Sequence, residues 1–564
     1  MKILGLTASG VNPAACVIVD NKILAFAEEE RFCRVKLASG RIPVKAAKYC
    51  LDTAGLKVDD LDHVTVGWNY NKYPEKMRSF FLGNMDYKDK DEYSHLYEEI
   101  SLRQNNPVYF EKLLKIALVR EGLLRSPMAF KSPTYVEHHY AHACSVYYAS
   151  PFDEAYIIVI DGSGEELATT IWFGQDKHIL KMHDFYLPNS IGYFYAAITE
   201  YLGFSVFMGE GKVMGLAPYG KSNDQIREVM DRFVLQTIDG YSVDPSYVYF
   251  GERSHSMRFT DKLAVDLGIP PRLPKENITE FHKSVAYEAQ RKLEDVVCGL
   301  ARSCVVNGTN NICLAGGVAM NCKMNGALSD MKEVEDCFVI PASTDAGTAL
   351  GSALSVSPFR YEFNVYSGPE YNDKAIVHAI NEAKIRGHRF NNDIDLCHEV
   401  AKMISDGKIV GWFQGRMEVG ARALGNRSIL ADPRDPKMKD KLNAEVKHRE
   451  SFRPFAPSVL PGYLNSKEPW MLKACFVDNK IKKAIPAVIH EDGSVRPQVV
   501  TKENNEKYYN LITEFNRLTG VPAILNTSFN VRGEPIVCTP QDALRCFYST
   551  GIDVLILGNW VIQK

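Results

Sequence analysis

The hydrophobic pattern opens with three short runs. Residues 2–6, 15–19 and 22–27 are apolar stretches separated by polar turns, the sharpest at Asp20-Asn21, and they read as three strands. From Pro43 the period lengthens. Pro43 suits a first helical turn, Val44, Ala47, Leu51 and Ala54 recur at helical spacing, and Gly55 stops the run. Residues 63–68 form another strand. Residues 85–125 look peripheral, with a mixed-charge loop at 86–92 and amphipathic helices at 96–102 and 109–124. Residues 156–160 are wholly apolar and read as a strand buried on both faces. A long amphipathic helix over 278–304 carries Val285, Leu293, Val297 and Leu300 on its apolar side. Asn307-Gly308 then turns the chain into a strand at 311–315, and 338–341 repeats the strand-to-loop pattern. Residues 357–373 are rich in Pro, Gly, Ser and aromatics and have no period, which places a linker at 361–373 between domains of 1–360 and 374–564. Beyond it, segments at 381–390 and 396–405 precede strands at 409–413 and 522–525. Alternating strands and helices in both halves give an α/β class.

Composition narrows the compartment and the partners. The 564 residues exceed one core, and 46% hydrophobic with 24% charged residues is ordinary for a soluble protein. A net charge of −3 provides no global field for nucleic acid or anionic membrane, so any basic site is local. The 13 cysteines are scattered without a Cys-x-x-Cys pair, which argues against disulfide frameworks and zinc ribbons. No run reaches the ~18 apolar residues of a membrane span, and the first residues lack a signal-peptide core. These features point to a reducing cytoplasm.

Candidate chemistry starts at His138 and His142. Four residues apart on a helix, they share a face with Cβ atoms roughly 5–6 Å apart, close enough to hold one metal ion; a polar helix start is the plain alternative. Asp345, at the start of a later helix, is the best third ligand or else an N-cap. Asp161 leaves the buried 156–160 strand into Gly162-Ser163-Gly164, either a phosphate- or metal-approach loop or a simple Asx turn. Glycines around Lys212 suit an anion-holding loop. Gly316 and Gly317 at a strand end suit nucleotide approach, with Asn321 reaching a ribose hydroxyl. Residues 28–32, Glu-Glu-Glu-Arg-Phe, form a charge run that a solvated face would also explain. A local basic cluster gathers Arg416, Arg422, Arg427, Lys447, Arg449 and Arg453, and guanidinium forks bind phosphate bidentately. The polar run at 526–530, with Asn526 and Ser528, could hold a planar amide or a phosphate.

These motifs together carry a resemblance. Residues 27–32 (AEEERF), 138–143 (HHYAHA), 161–166 (DGSGEE), 211–217 (GKVMGLA), 315–318 with 324–326, 414–428, 452–457 (FRPFAP) and 525–535 resemble the O-carbamoyltransferases that act on antibiotics and nodulation factors, over nearly the whole chain. The resemblance implies a first domain of the Kae-type, actin-like ATPase class and a second, YrdC-like α/β domain. It implies that the second domain makes carbamoyladenylate from carbamoyl phosphate and ATP with Mg2+. The adenylate passes internally to the first domain, where iron(II) sits between His138, His142 and Asp345 and a small-molecule hydroxyl attacks the carbamoyl carbon. Arg416, Arg422, Arg427, Lys447, Arg449 and Arg453 then serve the anions, Asn526 and Ser528 orient the carbamoyl amide, and Gly162, Gly164, Lys212, Gly316, Gly317 and Asn321 hold the adenylate.

One position departs from the resemblance. Relatives carry a His-Asp pair in the first loop, and that His is a candidate base for the acceptor hydroxyl. This chain has Val11-Asn12 there, so Asp161 or His139 is expected to take over. A tRNA-modifying carbamoyl-type transferase is the alternative reading, weakened by the absence of a basic tail. The acceptor itself is not encoded in any recognisable motif; stretches 70–130 and 241–256 are the expected selectors, and a homodimer is the assembly entertained.

Overall fold

A computed structural model describes residues 1–8, 10–72, 106–238, 240–250, 258–305 and 308–564. The charge run at 86–92, the helix expected at 96–102, Asn307 and the end of the 241–256 loop lie outside the described residues. The chain divides into two compact units, Met1–Glu29 with Ser39–Phe363, and Glu30–Ala38 with Asn364–Lys564.

The first unit holds two five-stranded sheets. In the first, the order is Lys22–Glu28, Ala14–Val19, Lys2–Thr7, His63–Val66 and Thr134–Tyr135; the first three form an antiparallel meander and the last two run parallel to Lys2–Thr7. The second sheet repeats the plan. His178–Tyr186, Leu167–Gln175 and Glu154–Gly164 make the meander, and Asn311–Ala315 and Asp336–Val339 continue it in parallel. This duplicated topology fits the α/β class that the motifs implied, although the internal repeat itself is invisible in the residue pattern. The expected strands and the 278–304 helix are all present, the latter as Glu280–Val305.

The second unit is built on an eight-stranded sheet. Its centre runs through Val554–Leu557, Val410–Phe413, Arg427–Ala431 and Ala523–Ser528. Val410 and Trp412 face one core with the helices Asp393–Ser405 and Glu506–Thr519, whereas Ile409 and Phe413 face the other. Burial on both sides explains why this strand reads as an unbroken apolar run.

One of the alternative readings is overturned. The charge run at 28–32 is not a solvated face: Glu28, Glu29, Glu30 and Arg31 are all buried. Arg31 and Arg34 donate to carbonyls of the second unit, at Gly420 (2.7 Å), Ile536 (2.6 Å) and Pro535 (3.0 Å), and Phe32 packs on Met417, Ala423, Ile536 and Cys538. These carbonyls, with the Glu30 and Asp542 carboxylates at 3.1 and 3.3 Å, take the place of water around the two guanidiniums. The division between the units falls between Phe363 and Asn364, inside the stretch expected as the linker, where Phe363 and Val365 are buried.

Candidate functional site

Two histidines and two aspartates meet in the first unit. The helix His138–Tyr147 places His138 and His142 one turn apart, with their Nε2 atoms 3.2 Å from each other. Asp161 Oδ2 lies 3.7 Å from His138 Nε2 and 3.4 Å from His142 Nε2, and Asp345 Oδ1 lies 3.9 Å from His138 Nε2. One ligand atom from each of the four residues lies within 4.8 Å of every other. The expected trio is therefore brought together, and Asp161 joins it as a fourth donor.

Close backbone packing makes this convergence possible. The helix Gly347–Val356, which follows Asp345, crosses His138–Tyr147 so tightly that a Cβ on Gly351 would sit 1.7 Å from the Ala141 carbonyl oxygen. A Cβ on Gly164 would strike the His138 and His139 rings at 2.6 and 2.5 Å. Small residues thus replace bulk where donor-bearing elements touch. The Asp345 carbonyl accepts from Thr7 Oγ1 (3.0 Å) and Thr348 Oγ1 (2.8 Å), pinning it to the end of the first strand. The N-cap of that helix is the next residue, Ala346.

Local bonds also orient the donors. His138 Nδ1 lies 3.0 Å from the Gly67 carbonyl, which can only accept, so that nitrogen carries the hydrogen and Nε2 faces the quartet. Gly162 N–H donates to Asp161 Oδ1 at 2.7 Å, while Oδ2, buried, has no hydrogen-bond partner among the described residues. Burial opposes charge on His138, but the Asp161 contact and the Asp345, Asp161 and Glu165 charges raise it to about 9. Burial lowers His142 to about 4. Burial would raise Asp161, yet the two imidazoles hold it well below the usual carboxylate range. A buried and a half-buried carboxylate facing two imidazole nitrogens are a donor set for a cation.

The remaining first-unit candidates fall around this quartet or serve the fold. Gly316, at φ +89, would place a Cβ 2.1 Å from the Ile160 carbonyl oxygen, and a Cβ on Gly317 would lie 3.2 Å from Asp161 Oδ1. A Cβ on Gly162 would meet the Tyr193 ring at 2.6 Å. Asn321, expected to reach a ribose, caps the helix Cys322–Ser329 through Met324 N–H (3.1 Å) and pairs with Gln290 at 2.9 and 3.1 Å. Lys212 Nζ stands 5.2 Å from the Phe204 ring centre.

A second constellation occupies the second unit. A short π-helical turn, Asn443–Lys447, ends at His448 with φ 46. That left-handed residue splays Lys447 and Arg449 from adjacent positions. Lys447 is buried and donates to the Ser528 carbonyl, to Asn530 Oδ1 (2.8 Å) and to the Asn530 carbonyl (3.0 Å). Burial pushes its ammonium well down, and Arg449 and Arg453 push further. Arg449 donates to Asn443 Oδ1 at 2.7 Å, and burial with the Arg453 and Arg496 charges lowers it to about 9. Burial also lowers Arg453; Glu450 opposes this, and Arg496 and Arg532 add to it. Five cations therefore repel one another around Glu450, an arrangement an anion relieves. Arg496 stands alone in the chain and Arg532 lies inside the 525–535 motif, so neither reads as part of the basic cluster until the fold gathers them.

The other second-unit candidates divide by role. Arg427 is a correction: expected to bind phosphate, it is fully buried, donates to the carbonyls of Gln414, Asn426 (3.1 Å), Pro369 (3.2 Å) and Gly415 (3.2 Å), and lies 3.7 Å above the Phe413 ring. Its charge is spent on the turn it braces. Arg416 likewise donates to the Ser367 (2.7 Å) and Gly368 (3.2 Å) carbonyls. Arg422 lies in the loop that Glu418 gathers by accepting from Leu424, Asn426 and Arg427 N–H at 2.7, 2.8 and 3.2 Å. Asn526 and Ser528 share a face of one strand. Asn526 donates to Ser458 Oγ (3.0 Å), and its buried Oδ1 has no hydrogen-bond partner among the described residues.

Comparison with known proteins agrees with this two-part organisation. Residues 2–354 match a family model described as Carbamoyltransferase N-terminus, and residues 401–564 match Carbamoyltransferase C-terminus. The chain is 33% identical to Nodulation protein NolNO of Sinorhizobium fredii, covering 98% of this chain and 78% of that protein. It is 37% identical to Nodulation protein NolO of Bradyrhizobium diazoefficiens, over 76% and 79% respectively. An uncharacterized Synechocystis protein is 35% identical over 100% of this chain and 96% of its own length. Among solved structures, HypF of T. kodakarensis aligns over 63% of this chain and 47% of its own at 14% identity and a TM-score of 0.29, too slight a likeness to carry weight. No helix of the described residues is long and apolar enough to cross a membrane.

Proposed function

Because this chain belongs to the carbamoyltransferase family, we propose that its second unit makes carbamoyladenylate from carbamoyl phosphate and ATP and that its first unit delivers the carbamoyl group to a hydroxyl of a small molecule. The observation that supports this most is the separation of chemistry. Converging cations lie in one unit, and a nitrogen–carboxylate quartet lies in the other.

In the second unit, carbamoyl phosphate loses phosphate to water and leaves carbamate. A carbamate oxygen then attacks the α-phosphorus of ATP, which arrives with Mg2+, and pyrophosphate departs. Lys447, Arg449, Arg453 and Arg422, with Arg496 and Arg532, bind the phosphates and offset charge on the leaving groups. Asn526 Oδ1, an unfilled buried acceptor, takes an N–H of the carbamoyl amide, and Ser528 stands two residues further along the same face. In the first unit, the acceptor oxygen bonds to the carbamoyl carbon as its bond to AMP breaks. Gly162, Gly164, Gly316 and Gly317 let the loops around the quartet pack closely, and in this reading the adenylate lies along those loops, beside Lys212 and Asn321. His139 is buried with its Nε2 unpartnered among the described residues, and in this reading it receives the hydroxyl proton in the absence of the first-loop histidine, Asp161 being committed to the quartet.

The quartet fits a resident divalent ion. His138, His142, Asp345 and Asp161 would hold it, and two imidazoles with carboxylates suit iron(II). When bound, such an ion supplies Lewis acidity toward the adenylate phosphate.

Two activities measured on one preparation test the reading. Pyrophosphate release that depends on carbamoyl phosphate reports the second unit, and mass spectrometry of an alcohol panel reports the first. Acceptor carbamoylation without ATP consumption would contradict the adenylate route.

A further inference from the structure

Arg258 is a buried cation that the first unit does not spend on its own fold. It is 3% exposed, and its Nε has no hydrogen-bond partner among the described residues. The guanidinium instead covers an aromatic face, with Cζ 4.1 Å from the centre of the Tyr193 ring. Among the described residues no hydrogen bond or ion pair of the guanidinium accompanies this contact. Glu200 lies close enough to feel the charge, but its carboxylate accepts the backbone N–H groups of Arg258 and Phe259. A ring face offsets only part of the cost of burying a charge, and an oxyanion that takes the free N–H groups offsets the rest.

The Tyr193 ring ties this cation to the quartet. Its hydroxyl lies 2.7 Å from Ser163 Oγ, and its edge is what a Cβ on Gly162 would strike. Gly162 and Ser163 directly follow Asp161, whose Oδ1 accepts from Gly162 N–H. Ser190, the N-cap of the helix Ile191–Tyr201, accepts from Tyr193 N–H at 3.0 Å and donates to the Gly162 carbonyl at 2.7 Å. Helix start, ring and loop are thus braced together, in a chain of contacts that begins at the guanidinium and ends at Asp161. The quartet end of that chain is rich in carboxylates. Asp161 and Asp345 belong to it, and Glu165 accepts from His138 N–H at 3.2 Å. A phosphate placed there meets like charge, which an unspent guanidinium offsets.

We propose that Arg258 binds the phosphate of the carbamoyladenylate in the first unit and holds AMP there after transfer. The inference rests on the reading above that the first unit receives the adenylate. In that intermediate a single oxygen joins the phosphorus to the carbamoyl carbon, so a carbamoyl group at the quartet puts the phosphate beside the Asp161 loop. The guanidinium fork meets two phosphate oxygens at once. As the acceptor oxygen bonds to the carbamoyl carbon, the electron pair of the breaking carbon–oxygen bond passes to the phosphate, and the hydroxyl proton goes to His139. AMP departs with one more negative charge than the bound adenylate carried, and Arg258 offsets that charge as it develops.

Hydrogen exchange of the full chain, read by mass spectrometry of peptic fragments, tests this with AMP, adenosine and glucuronate as probes. AMP is expected to slow exchange in the fragments that carry residues 191–201 and 258–268. Adenosine, which lacks the phosphate, should leave them unchanged at the same concentration. Arg258→Met keeps an apolar stem over Tyr193 and removes the charge. It should raise the AMP concentration for half protection about tenfold, the scale of one charge-assisted hydrogen bond. Arg258→Lys returns a point charge without the fork and should recover part of that loss, a recovery that misfolding does not produce. Equal protection by AMP and adenosine, protection confined to the second unit, no protection by AMP, or a half-protection point indifferent to Arg258→Met would each overturn the proposal. Protection by glucuronate in place of AMP would overturn it too, by giving the guanidinium to an anionic acceptor. Pyrophosphate release dependent on carbamoyl phosphate is measured on the unsubstituted chain. Its absence would sink the adenylate reading while AMP protection at Arg258 stood, so the two failures are told apart.

Discussion

At the scale of the residue, the same side-chain type does opposite work depending on what surrounds it. Arg427 and Arg453 read alike in the sequence, but one faces carbonyls and the other faces cations. Arg427→Leu removes the donors of several buried carbonyls and should lower the unfolding free energy by about 3 kcal/mol, visible as a fall in melting temperature. Replacement of Arg453 should instead spare the melting temperature and reduce pyrophosphate release. His142→Ala makes the complementary prediction. Acceptor carbamoylation and bound divalent metal, the latter measured by mass spectrometry of the digested protein, should both be lost while pyrophosphate release persists. The metal-type spacing was legible because His138 and His142 lie on one helix, where distance follows from sequence separation. Asp345 and Asp161 were legible only as carboxylates leaving strands, and that Asp161 joins the quartet depended on two sheets meeting. Nothing in the residue types separates a guanidinium that braces a turn from one that awaits a phosphate.

At the scale of the element, strands and long helices followed from periodicity, and their supports did not. The helix Val44–Ala54 has Pro43 at its N-cap and no side-chain cap of its own. Glu29, from the end of another strand, supplies the acceptor instead, 2.8 Å from Ala46 N–H. Burial raises its carboxyl to about 7, against the pull of the Ala46 and Lys45 amides. A folded-state value above the unfolded one means that Glu29 retains its proton in the native protein after the unfolded chain has released it. Its contribution to stability is full below about 4.5 and is lost as pH rises through about 7. Thermal melts should therefore show Glu29→Gln gaining on the wild-type chain between those limits, by up to about 3 kcal/mol. A constant difference across that range would refute the assignment. The π-helical turn before His448 was also unreadable, since it owes its geometry to the packing that seats Lys447 against Ser528 and Asn530.

At the scale of the whole molecule, the two-part α/β plan was legible from the loss of period after residue 357, whereas the path of the chain was not. Residues 30–38 leave the first unit early and complete the core of the second, a placement that depends on long-range contacts rather than local pattern. Residues 364–564 produced alone should therefore expose Met417, Ala423, Ile536 and Cys538. They should melt several degrees below the same segment fused to residues 28–40, since burying a side chain of the size of Phe32 is worth about 2 kcal/mol. Equal melting temperatures would show that the early segment adds nothing to that core. The Arg34 bond to the Ile536 carbonyl spans 502 residues. At a synthesis rate of about 5–20 residues per second, the nascent segment waits roughly 25–100 s for its counterpart to leave the ribosome. Throughout that interval an aromatic ring and two guanidiniums stand without their final neighbours, which makes this short strip the natural place for a chaperone to hold the unfinished polypeptide.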